Sequence, residues 1–168
     1  MHSNLQKLVS GVVGLVLAAS LMSIAQSTDT VIGTWKLISA KSTMLNGKVD
    51  PYAFGKTPSG FMTFTREGRM SLIMADDARK PLSVLDRVAA PTDERAQAFA
   101  TFVAYAGRYN MVGDRLVYHV EVSSIQNWVG TDLTRIIKFQ GKQLTTRTLA
   151  TVKGGVQQVI ELRWQRVK

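Results

Sequence analysis

Apolar and polar residues alternate along most of the chain from Val31 to Val167, and tight turns divide this stretch into short segments. Alternation with a period of two predicts strands that have one dry face and one wet face, because successive side chains of a strand point to opposite sides of the sheet. The last segment shows the pattern most clearly: its dry side holds Val156, Ile160, Leu162 and Trp164, and its wet side holds Gln157, Glu161, Arg163 and Gln165.

Glycine-containing turns set the boundaries of the predicted strands. These turns fall at Asn46-Gly47, Glu67-Gly68, Gly113-Asp114, Gln140-Gly141 and Gly154-Gly155, where glycine tolerates the positive φ angles of hairpin turns. The strands predicted around them cover residues 31–39, 60–65, 69–75, 107–112, 116–122, 133–139, 144–149 and 156–167. About eight short antiparallel strands at near-regular spacing predict an all-β domain, either a sandwich or an up-and-down barrel.

One segment in the middle of the chain breaks the strand pattern. Residues 76–91 contain Pro81 and Pro91, and apolar residues recur at helical spacing directly afterwards. Thr92 is a suitable helix N-cap, and the two acids that follow it are favoured in the first turn by the helix dipole. The pattern predicts one inserted α-helix near residues 92–104.

The first 25 residues predict export. A short polar start with Lys7 precedes the apolar run from Leu8 to Ala25, which ends in the small residues Ser23 and Ala25. This arrangement is typical of a secretory signal peptide cleaved between Ala25 and Gln26. The alternative is an uncleaved membrane anchor, because the run is about long enough to span a bilayer. We expect cleavage, a mature domain of residues 26–168 in the periplasm or outside the cell, and no stable membrane insertion.

Composition narrows the candidate chemistry. The chain has no cysteine, so disulfides and thiolate metal sites are excluded. The mature part has one histidine, His119, and scattered acids, a set that predicts no metal site and no cofactor. The formal charge of +9 comes from scattered cations, which favours a basic exterior over nucleic-acid binding.

His119 and Glu121 are the candidate catalytic residues and also candidate ligand contacts. They share one face of a predicted strand, and a carboxylate two residues away is able to orient an imidazole for proton transfer. The alternative places both residues on the outer wall or in a buried structural pair.

Four other side chains are candidate ligand contacts. Tyr105 and Tyr109 share a face where the chain is extended, and Trp128 lies in a loop as a lid or as a plug that pins the loop. Arg135 alternates with Leu133 and Ile137, so it points either into the domain, where it needs a carboxylate partner such as a ligand or Glu121, or outwards into solvent.

Several sequence segments resemble a known family. The sequence Gly33-Thr34-Trp35 at the start of the first strand is similar to the lipocalin signature, in which the tryptophan closes the barrel under a cation from the last strand. Arg163 and Arg166 are the candidates for that cation. The segments GTWKLISA, PYAFGKTPSGFMTFTREGRMSLIMA, ERAQAFATFVAYAGRYNM, YHVEVSSIQNWVGTDLTRIIKF and LRWQRV, in this order, resemble the lipocalin-like domain family of bacterial and fungal proteins. The resemblance implies a calycin-type barrel with one helix inserted before the middle strands.

Three functions follow from such a barrel. The first is an exported protein that binds a small hydrophobic or amphipathic molecule in its cup, since an eight-stranded barrel encloses room for one ligand. The second is an enzyme, an isomerase, cyclase or hydrolase, that uses His119 and Glu121 as an acid–base pair. The third is a structural or partner-binding barrel filled with side chains. The volume and lining of the barrel interior separate the three.

Overall fold

The computed structural model describes residues 30–167, so the predicted signal peptide lies outside the described residues. In this part of the chain the strands and helices, in order, are β1 Gly33–Met44, β2 Val49–Asp50, β3 Ser59–Phe64, β4 Arg69–Ala75, α1 Thr92–Ala100, β5 Phe102–Val112, β6 Arg115–Ser123, a 3-10 turn at Gln126–Trp128, β7 Asp132–Gln140, β8 Gln143–Thr148, β9 Thr151–Lys153 and β10 Val156–Arg166. Between residues 30 and 167, no helix is both long enough and apolar enough to cross a bilayer.

The strands form a closed antiparallel barrel. The eight long strands pair in the order β1-β3-β4-β5-β6-β7-β8-β10, and β10 pairs back onto β1, from Trp35 opposite Arg166 to Met44 opposite Gln158. The short strands β2 and β9 extend the sheet beside β1 and β10. The predicted lipocalin-like barrel with one inserted helix is therefore confirmed, and the sandwich is excluded.

The helix is shorter than the sequence pattern predicts. It ends at Ala100, and Phe102 and Val103 already pair with Ala75 and Met74 of β4. None of the side chains of α1 is buried, so the apolar residues at helical spacing do not form a core-facing stripe. Beyond Ala100, backbone hydrogen bonds to β4 replace helical hydrogen bonds. As a result, β5 begins five residues earlier than the predicted strand.

One end of the barrel is filled by large side chains. The residues of this closed end that are almost fully inaccessible to solvent are Trp35, Met62, Phe64, Leu116, Tyr118, Leu144 and Trp164. They come from the dry faces of five strands, β1, β3, β6, β8 and β10, which is the outcome that the alternating pattern predicts. A well-packed floor of this kind leaves space for a ligand only towards the opposite end of the barrel.

Two β-bulges interrupt the strand pairing. One lies in β1 at Ile38, between Leu37 and Ser39. The other lies in β6, where Glu121 is the extra residue between the partners of Ala106 and Gly107. At Gly107 a β-carbon would lie 1.9 Å from the carbonyl oxygen of His119 on the neighbouring strand. Only glycine permits this close approach of two backbones, which increases the local twist that a small barrel requires.

Candidate ligand-binding cup

A cavity of about 380 Å³ occupies the open end of the barrel. Its walls come from the end of β4, the start of β5, the start of β7, the end of β8 and the start of β10, and the C-terminal end of α1 lies at its mouth. Most of the side chains that line it are apolar: Phe54, Met74, Phe99, Phe102, Val103, Ile125, Trp128, Leu133, Ile160 and Leu162. The polar ones are Tyr105, Arg135, Thr148, Thr151 and Gln158. We call this cavity the cup.

Trp128 forms part of the mouth of the cup. It lies at the end of the 3-10 turn after β6, and its ring meets that of Tyr105 edge-on with 5.7 Å between the centroids. Thr131 donates a hydrogen bond to the carbonyl oxygen of Trp128 and fixes the turn. Trp128 therefore lines the cup from the loop after β6, packed against Tyr105.

Two buried tyrosines lie one behind the other below Trp128. The rings of Tyr105 and Tyr118 are 6.1 Å apart, and the hydroxyl of Tyr118 donates to the sulfur of Met62 at 3.6 Å. Burial raises the pKa of both phenols, and at Tyr105 the charge and hydrogen bonding of Arg135 offset part of that rise. Both side chains are therefore neutral at physiological pH, and Tyr105 lines the cup with its hydroxyl protonated.

Arg135 points into the barrel, which decides between the two orientations left open by the sequence. It is half-buried on β7 opposite Thr148 of β8, and its guanidinium carbon lies 5.7 Å from the ring centroid of Tyr118. One terminal nitrogen, Nη1, donates to the carbonyl oxygen of Thr134 at 3.0 Å. Among the described residues no carboxylate lies within ion-pair distance of this guanidinium.

His119 and Glu121 do not form the predicted acid–base pair. They share a face of β6, as the spacing predicts, but Leu116, Tyr118 and Val120 are the residues that point inwards. His119 therefore lies on the outer wall, with Nδ1 2.6 Å from Asp132 and Nε2 2.6 Å from Asn110.

Glu121 also has partners of its own on the outer wall. Arg69 donates to both of its carboxylate oxygens at 2.7 and 2.9 Å, and Arg108 donates at 3.1 Å. These bonds, those from Arg69 above all, lower the pKa of Glu121. Neither His119 nor Glu121 lines the cup, so the structure corrects both their catalytic and their ligand-binding assignment.

Tyr109 also lies away from the cup. It shares a face of β5 with Tyr105, but it is packed at the closed end, 4.8 Å from the ring of Phe64. Its hydroxyl donates to the carbonyl oxygen of Thr65 at 3.0 Å. Tyr109 is part of the barrel floor rather than a ligand contact.

The floor is closed by the contact that the family resemblance implies. The guanidinium of Arg166 lies 4.2 Å from the ring centroid of Trp35, within the range of a cation–π interaction. Gly33 adopts φ +120°, and a β-carbon there would approach a nitrogen of Arg166 to 2.9 Å. Arg163 points outwards and donates to Gln143 at 3.0 Å, so of the two candidates Arg166 provides the closing cation.

Sequence reasoning missed several residues of the cup. Gln158 lies on the dry side of β10, in phase with Val156 and Ile160, so its parity was a sufficient indication. Thr148 has the same kind of parity on β8. Phe54 lies in a loop, where no periodicity exists to place it.

Within residues 30–167, no group of three His, Cys, Asp or Glu side chains is arranged to hold a metal.

Comparisons with known proteins agree with this geometry. The model of a family described as a lipocalin-like domain matches residues 32–167. The chain is also 30% identical over 84 residues to the 4'-hydroxy-3'-methoxypropiophenone carrier protein ppsC of Aspergillus oryzae. That match covers 45% of this chain and 76% of the relative.

Proposed function

Since the chain belongs to the lipocalin-like domain family, we propose that it is an exported carrier that holds one small hydrophobic or amphipathic molecule in its cup. The observation that carries the proposal is the cavity of about 380 Å³ with its mainly apolar lining. Cavities of this size accommodate a single drug-sized ligand, and an apolar lining favours transfer of the ligand out of water.

The similarity to a fungal carrier supports binding rather than catalysis. The relative's name states that it carries an aromatic ketone, a molecule with an apolar ring and a few oxygen atoms. The cup offers the same combination, with aromatic walls at Tyr105 and Trp128 and a small number of polar groups. We therefore expect the cargo of this chain to be an aromatic or aliphatic molecule with polar oxygen at one end.

The two alternative functions have less support. The enzyme hypothesis depended on His119 and Glu121, which face solvent on the outer wall with other partners. The filled-barrel hypothesis required side chains throughout the interior, but side chains fill only the closed end. Export is supported by the sequence of the first 25 residues alone.

Native mass spectrometry of the protein from the exported fraction of its own host tests both parts of the proposal. The expected species is residues 26–168 with one small molecule attached. A chain that retains residues 1–25 contradicts cleavage, and a chain found only inside the cell contradicts export.

A fluorescence titration with 4'-hydroxy-3'-methoxypropiophenone tests the cup directly. Of the three tryptophans, Trp35 and Trp164 are buried in the floor and Trp128 alone lines the cup, so ligand should quench Trp128. In Trp128→Phe the fluorescence change should disappear while calorimetry still detects binding. The carrier function is contradicted if the exported protein retains no molecule and this ketone gives no binding by either method.

A further inference from the structure

We infer that Arg135 is an anion-binding group inside the cup, and that the cargo is a monocarboxylate with an apolar body. The inference rests on the proposed carrier function and goes beyond it, because it assigns a chemical class to the ligand and a binding role to one side chain.

The first argument is the unbalanced charge of Arg135. A guanidinium that is partly removed from water is unfavourable unless a partner compensates it. The acids near it in the barrel wall are engaged outside: Glu121 with Arg69 and Arg108, and Asp132 with His119. No acidic side chain lines the cup, so a ligand is the source of negative charge that this site lacks.

The second argument is the number of hydrogen-bond donors that Arg135 leaves unused. A guanidinium carries five N–H groups in a planar fork. One is donated to the carbonyl oxygen of Thr134, and hydrogen bonding to the hydroxyl oxygen of Tyr105 accounts for another, so N–H groups remain for a ligand. In the described part of the chain every fully buried side-chain nitrogen and oxygen has a partner. Because Arg135 lines the cup, its remaining N–H groups are available to a ligand there.

The polar neighbours of Arg135 also present donors rather than acceptors. Thr148 lies opposite Arg135 in the sheet, and its oxygen accepts the backbone N–H of Ile160 at 2.9 Å, which leaves its own proton to donate. Gln158 uses its carbonyl oxygen to accept a hydrogen bond from Ser42, so its NH₂ group remains.

Tyr105 keeps its proton and contributes a third neutral donor. Thr151, at the mouth, is different, because its hydroxyl donates to the backbone of Gln158. A cation surrounded by donors is complementary to an anionic oxygen pair, and the arginine fork matches a carboxylate with two parallel hydrogen bonds.

The remaining walls of the cup restrict the polarity and charge of the rest of the ligand. Below and around Arg135 the lining is aromatic and aliphatic, including Phe102, Leu133 and Leu162. These walls offer no second cation, so a dicarboxylate would leave one charge without a partner. A ligand with one carboxylate on an apolar chain or ring pairs with Arg135 and packs against the apolar walls.

The test compares n-decanoate with 1-decanol, two probes with the same chain length and different head groups. Calorimetric titration should show that wild-type protein binds decanoate, and that Arg135→Met weakens this binding by about 10- to 100-fold, the range expected for a charge-assisted hydrogen-bonded pair. Binding of 1-decanol should remain within about threefold of wild type, because the apolar walls are intact. Arg135→Lys, which keeps the charge without the fork, should lie between wild type and Arg135→Met for decanoate.

The matched control is Arg115→Met, which removes an exposed cation at the start of β6 and should alter neither affinity. Equal weakening of decanoate and 1-decanol in Arg135→Met would assign Arg135 a packing role and overturn the inference. If Arg135→Met does not fold, Arg135→Lys and the preference of the wild type for decanoate over 1-decanol decide the question. Wild-type protein that binds both probes equally overturns the anion site alone, whereas wild-type protein that binds neither argues against the cup itself.

Discussion

At the scale of single residues, the side of the sheet decides what a side chain can do. Tyr118 and His119 are neighbours on β6, yet the first is buried beside the cup and the second is exposed on the outer wall. Sequence spacing correctly groups residues by face, since strand alternation is a local property. Spacing does not indicate which face lies inside the barrel. The spacing of His119 and Glu121 is therefore equally compatible with a place in the cup and with their observed place on the outer wall.

The contact between Arg166 and Trp35 should contribute measurably to stability. Because a cation over the face of an indole is held by the electrostatics of the ring, Arg166→Met should lower the free energy of unfolding by about 1 to 2 kcal/mol. Urea denaturation followed by tryptophan fluorescence measures the change. The control Arg163→Met, on the outer face of the same strand, should cost less than about 0.5 kcal/mol; equal losses in the two variants would refute a special role for Arg166.

At the scale of elements, β5 connects the cup to the floor. Its first half lines the cup with Phe102, Val103 and Tyr105, and its second half packs Tyr109 into the closed end. The register shift between Ala106 and Gly107 lies between the two halves, opposite a bulge at Glu121 of β6, and it increases the local twist of the two strands. The conformation of this glycine therefore affects the geometry of both ends of the barrel.

Replacement of Gly107 by alanine should be strongly destabilising. The new β-carbon would lie 1.9 Å from the carbonyl oxygen of His119, so β5 and β6 must separate, at a cost of about 3 kcal/mol. Thermal unfolding monitored by circular dichroism gives the measurement. Gly141→Ala is the control, since Gly141 has φ +59° but open space around it, and its expected cost is about 1 kcal/mol. The explanation fails if Gly141→Ala is the more damaging of the two.

The sequence predicts the hairpin elements well and the segment around α1 poorly. The strand at Arg69–Ala75 has the predicted bounds, because its limits are set by a turn and by its own alternation. The helix end at Ala100 depends instead on pairing with β4, which lies about 25 residues earlier in the chain and leaves no local pattern. The cup shows the same limit. The sequence indicates Arg135 and Tyr105 as candidate ligand contacts, but their proximity arises only when the sheet closes into a barrel.

At the scale of the whole molecule, the barrel divides into a filled floor and a cup, and the two should respond differently to added volume. The double variant Leu133→Trp/Ile160→Trp places two large rings in the cup. We expect it to fold with a melting temperature within a few degrees of wild type, because free space exists there, and to bind 4'-hydroxy-3'-methoxypropiophenone at least about 10-fold more weakly. Calorimetry provides the affinity and circular dichroism the melting temperature.

The control for that experiment is Ile38→Trp, which adds the same side chain on the outer wall, where Ile38 is exposed. It should leave the affinity unchanged. Unaltered affinity in the double variant would show that the ligand binds elsewhere on the protein.

The pairing of β1 with β10 has a consequence for the order of events during synthesis. This pairing brings together residues such as Ser42 and Gln158, whose side chains hydrogen-bond although they are 116 positions apart in the chain. Contacts of such long range form late and slow the folding of β-proteins. The first strand of the barrel therefore lacks its last partner until residues 156–166 have been made, and a nascent chain without β10 has two unpaired strand edges and no closed cup. For a protein with the proposed export leader, this delay keeps the chain open for translocation until its final strand appears.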